Sequence, residues 1–236
     1  MSDRIIDVLL AQADLLKENL SRFFLIITDP QGFVRTINFD DQAQIIGASI
    51  FAALMSLANL VILLPVYRLN QVQASSESYV IIDTVTTYLG WFLYGTTFHY
   101  CARVIGGSGK YAASIGTWMF LTAFNPLCTI VLLPVAAMLQ PALMKQPDIW
   151  SPGFQLHLLA QSPGIAVSYV GGMLIYIWYM ISLSRAYGVV HGLSSVRSAA
   201  ATLLGLLGMG LVIQFVTMPT QEILWLAYKS IVPQSS

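Results

Sequence analysis

Charged residues are scarce in this sequence. Only 9% of its 236 residues are Asp, Glu, Lys or Arg, and 56% are hydrophobic, whereas a soluble domain carries about 25% charged residues. The 11 basic and 11 acidic residues cancel, so the overall charge gives no support for nucleic-acid binding. The composition excludes an ordinary soluble domain. It indicates an all-α, polytopic membrane helix bundle, since a helix satisfies its own backbone in lipid.

Cysteines are few and catalytic motifs are lacking. Cys101 and Cys128 both lie in apolar runs, which indicates inert packing residues rather than a disulfide framework. The sequence has no HExxH, P-loop, Rossmann or nucleophile-elbow motif, so we expect no enzyme activity. His99 and His191 have neither a nearby inner-side acid nor metal-ligand spacing, and we expect no metal or other cofactor.

Long uncharged gaps divide the chain into five predicted transmembrane helices. A helix needs about 20 apolar residues to cross a bilayer, and the gap after Lys110 has 34 uncharged residues. We therefore predict a five-helix bundle over residues 43–217, with spans at 43–67, 79–104, 111–139, 164–186 and 195–217. Residues 218–236 are expected to form a tail at the outer interface, where Trp225 and Tyr228 suit headgroup depth.

The third of these spans is expected to be irregular. It follows a glycine turn, with Asn125 and Pro126 in its middle and Pro134 further along. Proline inside a membrane helix frees backbone carbonyls, which neighbouring helices or hydroxyl groups must satisfy. We expect a broken or kinked helix with the other spans packed around it.

Residues 1–42 are predicted to form a cytoplasmic, amphipathic N-terminal segment. Apolar residues recur every three or four positions over residues 3–27, and charges of both signs take the other faces. A helix adapted to anionic lipid would be distinctly basic, so we favour packing against the protein's own cytoplasmic face or a partner. With five spans, eight of the 11 Lys and Arg residues lie on the same side of the membrane as the N-terminus. The positive-inside rule then makes the N-terminus cytoplasmic and the C-terminus extracytoplasmic.

Two stretches near the predicted inner turns have a distinctive pattern. The first is GGSGKYAASIGTWMFLTAFNP (Gly106 to Pro126), and the second is YMISLSRAYGVVHGLSSVRSAAATLLG (Tyr179 to Gly205). Both resemble the Yip (Ypt-interacting protein) domain family of five-span membrane proteins, and Pro30-Gln31-Gly32-Phe33 is a weaker match. The resemblance covers roughly residues 28–217.

This resemblance implies a five-span fold and a membrane location. The eukaryotic members are linked to Rab-type GTPases and vesicle traffic, but their long N-terminal region and DLYGP-type motif are absent from this sequence. The short form resembles prokaryotic members, so we expect an integral protein of a bacterial inner (cytoplasmic) membrane.

Candidate binding residues gather at the two inner turns. Glycine turns and cations can bind a lipid phosphate or the acidic surface of a partner. The alternative is that these cations set the topology and reach toward the interface. The candidates are Arg103, Gly106, Gly107, Gly109, Lys110, Arg185, His191 and Arg197.

A second group of polar residues lies within the predicted spans: Asp83, Asn59, Asn125 and Gln214. An intramembrane carboxylate such as Asp83 can form an ion or proton site, and the amides could line a polar path. The alternatives are an acid that stays hydrated near the outer interface and amides that join neighbouring helices.

Together these features predict a non-catalytic integral membrane protein that organises membrane or binds membrane-protein partners. It would act as a scaffold or an accessory subunit, with other membrane proteins, further copies of itself and membrane lipids as partners. The alternative function is a small channel or transporter that uses the kinked third span and Asp83, since broken helices at mid-membrane often line substrate sites.

Overall fold

The computed structural model is helical in nearly all of the residues that it describes. These are residues 23–69, 75–143 and 163–231, with Asp14, Lys17, Glu18 and Ser21 before them, and they contain no strand. The helices are α1 (Phe23–Thr28), α2 (Pro30–Thr36), α3 (Gln42–Leu69), α4 (Ser75–Val104), α5 (Tyr111–Leu121), α6 (Phe124–Leu143), α7 (Pro163–His191), α8 (Ser195–Val212) and α9 (Met218–Ile231), and a π-helical turn (Ile213–Thr217) joins α8 to α9. Most of the predicted helix over residues 3–27 lies outside the described residues.

Helix α5 lies at the centre of the bundle. All eight residues from Ser114 to Leu121 are buried, and α5 packs against α3, α4 and α7. Its Trp118 ring lies 4.8 Å from that of Phe98 on α4, and its Phe120 ring lies 5.0 Å from that of Phe33 on α2, measured between centroids. A helix that is buried on every side is mainly apolar all round, and in this stretch only Ser114 and Thr117 are polar. The other helices therefore pack around the segment that follows the glycine turn, as expected.

The third predicted span is broken. Helix α5 ends at Leu121, and the amides of Thr122 and Ala123 donate to carbonyls only three residues back, both at 3.2 Å. Helix α6 then begins at Phe124. Pro126 has no N–H, and its ring would clash with the carbonyl four residues earlier, on Thr122. The break therefore precedes the proline by one turn.

Four helical segments within the described ranges are long and apolar enough to cross a membrane. They are Gln42–Leu64, Tyr111–Val135, Pro163–His191 and Ser195–Tyr228. The sequence led us to expect five. The remaining long helix, α4, has 30 residues and is about 45 Å long at 1.5 Å per residue. Glu77, Asp83 and several hydroxyl residues make it less apolar than the other four. It packs against α3, α5 and α8.

The last helix continues beyond residue 217, where we expected the span to end. Helix α8, the π-helical turn and α9 follow one another without a gap, and the amide of Met218 bonds to the carbonyl of Ile213, five residues back. This wider turn changes the hydrogen-bond register just before Pro219, so the helix passes a residue that has no N–H. Residues 218–231 are continuous with the last span.

Residues 23–36 pack on the bundle. Asp29 accepts a hydrogen bond from a backbone N–H in the first turn of α2 (3.0 Å), which caps that helix. Ile26 and Phe33 are buried in the core. The indole N–H of Trp178 donates to a carbonyl of α1 (2.6 Å). The end of the predicted N-terminal helix therefore lies against the protein itself.

Candidate functional site

Two turns follow helices that end on a glycine in the left-handed conformation. Gly106 has φ +96° at the end of α4, and Gly192 has φ +62° at the end of α7. In both, the amide after the glycine donates to a carbonyl five residues back, at 2.8 and 2.9 Å, which is the Schellman pattern. A residue with a Cβ would cost about 1–2 kcal/mol at such positions. We call these two turns, residues 105–110 and 192–194, the turn platform.

His191, the last residue of α7, joins the two turns of the platform. Its carbonyl accepts from the amide of Ser108 (3.0 Å), and its Nδ1 accepts from the amide of Gly109 (3.2 Å). A Cβ on Gly107 would lie 2.8 Å from the Cβ of His191, and one on Gly109 would lie 2.5 Å from the carbonyl oxygen of Val190. Glycine is needed at both positions because the backbones approach so closely.

A buried polar network lies beneath the platform. The Ser114 hydroxyl of α5 lies 2.8 Å from Nε2 of His191 and 2.9 Å from Nδ1 of His99. The hydroxyl of Tyr187 donates to the Ser114 carbonyl (2.9 Å). All four side chains are buried, and Ser114 is 0% exposed. The network therefore holds α4, α5 and α7 together at the end that carries the platform.

The hydrogen bonds define the protonation of His191. Its Nδ1 accepts a backbone N–H, and an imidazolium has no acceptor, so the ring is neutral with its proton on Nε2. That proton points to the Ser114 hydroxyl (2.8 Å), whose own proton can go either to Nδ1 of His99 (2.9 Å) or to the Lys110 carbonyl (3.3 Å). This Ser–His arrangement is enclosed by protein, and its geometry serves to tie helices together. Among the residues described, no three His, Cys, Asp or Glu side chains lie close enough together to hold a metal ion.

The predicted cations lie around the platform. Arg103 and Arg197 are exposed. Lys110 pairs with Asp40 at 2.7 Å, with 71% and 63% of the two side chains exposed, and an exposed pair of this kind contributes less than about 1 kcal/mol. Arg185 lies earlier in α7, away from the platform, with its guanidinium 5.7 Å from the centre of the Trp178 ring. The structure thus gathers the three predicted glycines and His191, with three of the cations at their edge.

The structure describes the side chains of three of the four residues of the predicted polar path. Asn125 borders a cavity of about 410 Å³ that neither Asn59 nor Gln214 lines. The side-chain Oδ1 of Asn59 is buried without a hydrogen-bond partner among the residues described, and Gln214 is exposed. The side chain of Asp83 lies outside the described part of the structure.

Sequence reasoning missed three residues of the site. Tyr187 precedes His191 by four positions, which places both on one face of α7, so the pattern contained a signal for it. Ser114 and Asp40 gave none. Ser114 sits in an alanine- and serine-containing run typical of packing, and its partners are 15 and 77 positions away.

Both turns and the network beneath them fall within one match to a known family. A family model described as Yip1 domain matches residues 24–218. The chain belongs to the Yip1 domain family. No curated protein and no solved structure matches the chain significantly. The Yip1 domain begins within α1 and ends at the first residue of α9, and it confirms the resemblance drawn from the two turn sequences.

Proposed function

We propose that this Yip1 domain protein is a non-catalytic scaffold or accessory subunit that binds membrane-protein partners at the turn platform. One observation carries the proposal: two turns that are distant in sequence are joined into one surface by the hydrogen bonds of Ser108 and Gly109 to His191. A surface whose shape is set before binding loses little conformational entropy on association.

Charge and shape support an acidic partner segment. Arg103 and Arg197 are exposed and form no ion pair with any residue in the described ranges. A hollow of about 420 Å³ beside the platform is bordered by Ser108, Lys110 and Asp40, among others. Complementary charge speeds association and selects the partner. The proposed partner therefore presents an acidic loop at the membrane surface.

The proposed topology has five spans, with α4 as the fifth. The N-terminus and the turn platform would face the cytoplasm, and the C-terminus would lie outside a bacterial inner membrane. Three features support this arrangement: the four apolar segments, the length of α4, and the positive-inside rule, since five spans would put eight of the 11 basic residues on the cytoplasmic side.

Partner recovery tests the platform. The tagged full chain is purified from native membranes in a gentle detergent, and the co-purifying proteins are identified by mass spectrometry. We expect the Arg103→Gln, Arg197→Gln double variant to lose a stoichiometric protein partner, while the matched Arg103→Lys, Arg197→Lys variant keeps most of it. Equal recovery in both variants, or a stable oligomer without any partner, would refute the proposal.

Deleting residues 1–22 tests the N-terminal segment. This deletion spares α1, whose Ile26 belongs to the core, so the bundle should remain folded. We further propose that residues 1–22 contribute to partner binding, so their deletion should reduce recovery of the partner. Unchanged recovery would confine partner binding to the platform.

Cysteine labelling tests the topology. In a background without Cys101 and Cys128, Ser194→Cys on the platform and Ser230→Cys near the C-terminus are exposed positions. A membrane-impermeant thiol reagent should label the first only in inside-out vesicles and the second only in right-side-out vesicles. Labelling of both from the same side would contradict five spans.

A further inference from the structure

A groove of about 820 Å³ lies between α2, α7 and α8. It begins at the α7–α8 turn beside Ser195 and extends along α8 to Leu206, a distance of about 16 Å at 1.5 Å per residue. Its volume falls within the range of about 300–1,000 Å³ that is typical of ligand sites. The groove is thus large enough for part of an extended ligand.

Two arginines line the groove. They are Arg35 of α2 and Arg185 of α7, and no Asp or Glu lines it. The side-chain amide of Gln31 donates to the Arg185 carbonyl (3.4 Å), which joins the two helices there. The Arg185 guanidinium lies over the Trp178 ring. Stacking of this kind leaves the in-plane N–H groups free to bind a planar or tetrahedral anion.

A buried hydroxyl without a partner lies in the wall. Thr202 is 5% exposed, and its Oγ1 makes no hydrogen bond within the described structure. Buried polar groups normally find a partner. Ser198 donates to the Ser184 carbonyl, which sets Arg185 near the level of Ser198. Thr202 therefore lies one helical turn, about 6 Å, further from the α7–α8 turn than the backbone of Arg185, whose guanidinium extends toward Trp178.

Beyond Thr202 the walls become apolar and open outward. Leu206 and Met180 line the deeper part. Leu203 at the edge is 63% exposed, so the groove opens on the outer surface of the bundle. The groove thus combines two arginines, a buried hydroxyl without a partner in the described structure, and apolar walls.

We propose that this groove binds one anionic glycerophospholipid. Its phosphate is held at Arg35 and Arg185, an ester oxygen accepts the hydrogen bond of Thr202, and an acyl chain lies against Leu203 and Leu206. The inference rests on the proposed membrane placement of α7 and α8, both within candidate spans, but not on the protein partner. A soluble anion would need only the two arginines, whereas the apolar walls suit a lipid tail.

Lipid titration of the delipidated full chain tests the proposal. Native mass spectrometry measures binding of dioleoylphosphatidylglycerol and dioleoylphosphatidylcholine, with inorganic phosphate as a competitor. We expect one phosphatidylglycerol per chain, bound about tenfold or more tightly than phosphatidylcholine. Both lipids offer a phosphate for charge-assisted hydrogen bonds, but only phosphatidylglycerol carries a net negative charge. Equal affinity for both lipids, or displacement by micromolar phosphate, would overturn the proposal.

Variants assign the binding to the groove. Arg35→Gln with Arg185→Gln should lower the affinity for phosphatidylglycerol at least tenfold, and the matched double substitution to Lys should retain most of it. Leu203→Trp, at an exposed position, should block the opening even if the arginine variant folds poorly. Unchanged binding in Leu203→Trp would count against the groove.

Two further variants separate this site from its alternatives. The Arg103→Gln, Arg197→Gln variant of the turn platform should bind lipid normally while losing its protein partner, so that the two proposals fail independently. Deletion of residues 1–22 should leave lipid affinity unchanged. A gain of more than tenfold on deletion would mean that this segment, rather than a lipid, occupies the groove, and would overturn the proposal.

Discussion

Removal of the Ser114 hydroxyl tests how the turn platform is held. Ser114→Ala deletes Oγ but keeps the carbonyl that accepts from Tyr187. Nε2 of His191, at 2.8 Å, and Nδ1 of His99, at 2.9 Å, both lose their partner in a buried site. A buried group left unpaired costs about 1–3 kcal/mol. We therefore expect the free energy of unfolding to fall by about 2–5 kcal/mol, since two groups are affected.

The matched control is Ser182→Ala. Ser182 is equally buried, but its Oγ has no hydrogen-bond partner in the described structure, so its removal should cost less than about 1 kcal/mol or stabilise the protein. Both variants are unfolded by sodium dodecyl sulfate titration in mixed micelles, followed by tryptophan fluorescence. If Ser114→Ala costs no more than Ser182→Ala, the network does not contribute to stability as the distances indicate.

Hydrogen exchange gives a second readout of the same variant. The amides of Ser108 and Gly109 donate to His191, and His191 is itself held by Ser114. We expect both amides to exchange faster in Ser114→Ala, with amides in α3 unchanged. Unaltered exchange at these two amides would show that the platform is held without the serine.

Five further substitutions, two of them controls, test other parts of the structure. Gly106→Ala should lower the free energy of unfolding by about 1–2 kcal/mol, because φ at Gly106 is +96°; Gly210→Ala, in a helix with nothing within 4 Å of the added methyl, should be neutral or stabilising. Phe33→Ala should cost about 3–5 kcal/mol, since its ring is buried in the core, whereas Phe24→Ala, at 75% exposure, should cost less than 1 kcal/mol. Lys110→Gln should change stability by less than about 1 kcal/mol, because it removes only an exposed ion pair. The same detergent titration measures all of them, and a reversed order within either pair, or a large loss in Lys110→Gln, would contradict the structure.

Local features of the fold were predictable because each depends on residues a few positions apart. The break in the third span follows from Pro126, whose ring excludes the helical carbonyl of Thr122. The turn at Gly106 follows from the ability of glycine to take positive φ. Family membership was also predictable, because each of the two turn motifs is a short local sequence. Both motifs lie within the matched residues 24–218.

The last helix shows a limit of local reasoning. We expected the last span to end at residue 217, with residues 218–236 as a tail at the outer interface. Pro219, which has no N–H, lies just beyond this boundary. The π-helical turn at Ile213–Thr217 instead shifts the hydrogen-bond register before the proline, and the helix continues to Ile231. A shift of this kind depends on how α8 and α9 pack against α4, which no spacing in the sequence reveals.

The sequence by itself determined the class of protein. Scarce charge, long apolar gaps and glycine turns specify a bundle of membrane helices joined by tight turns at one end, because backbone satisfaction in lipid leaves few other structures. These properties are set by composition and by short-range geometry.

Only the tertiary structure decided which polar groups meet. His99, Ser114 and His191 are brought together by the packing of three helices, and Arg35 faces the same groove as Thr202 although 167 positions separate them. The helical repeat predicts which residues share a face of one helix. The rotation of that face relative to its neighbours depends on side-chain shape across the whole bundle, so neither the network nor the groove could be derived from the sequence.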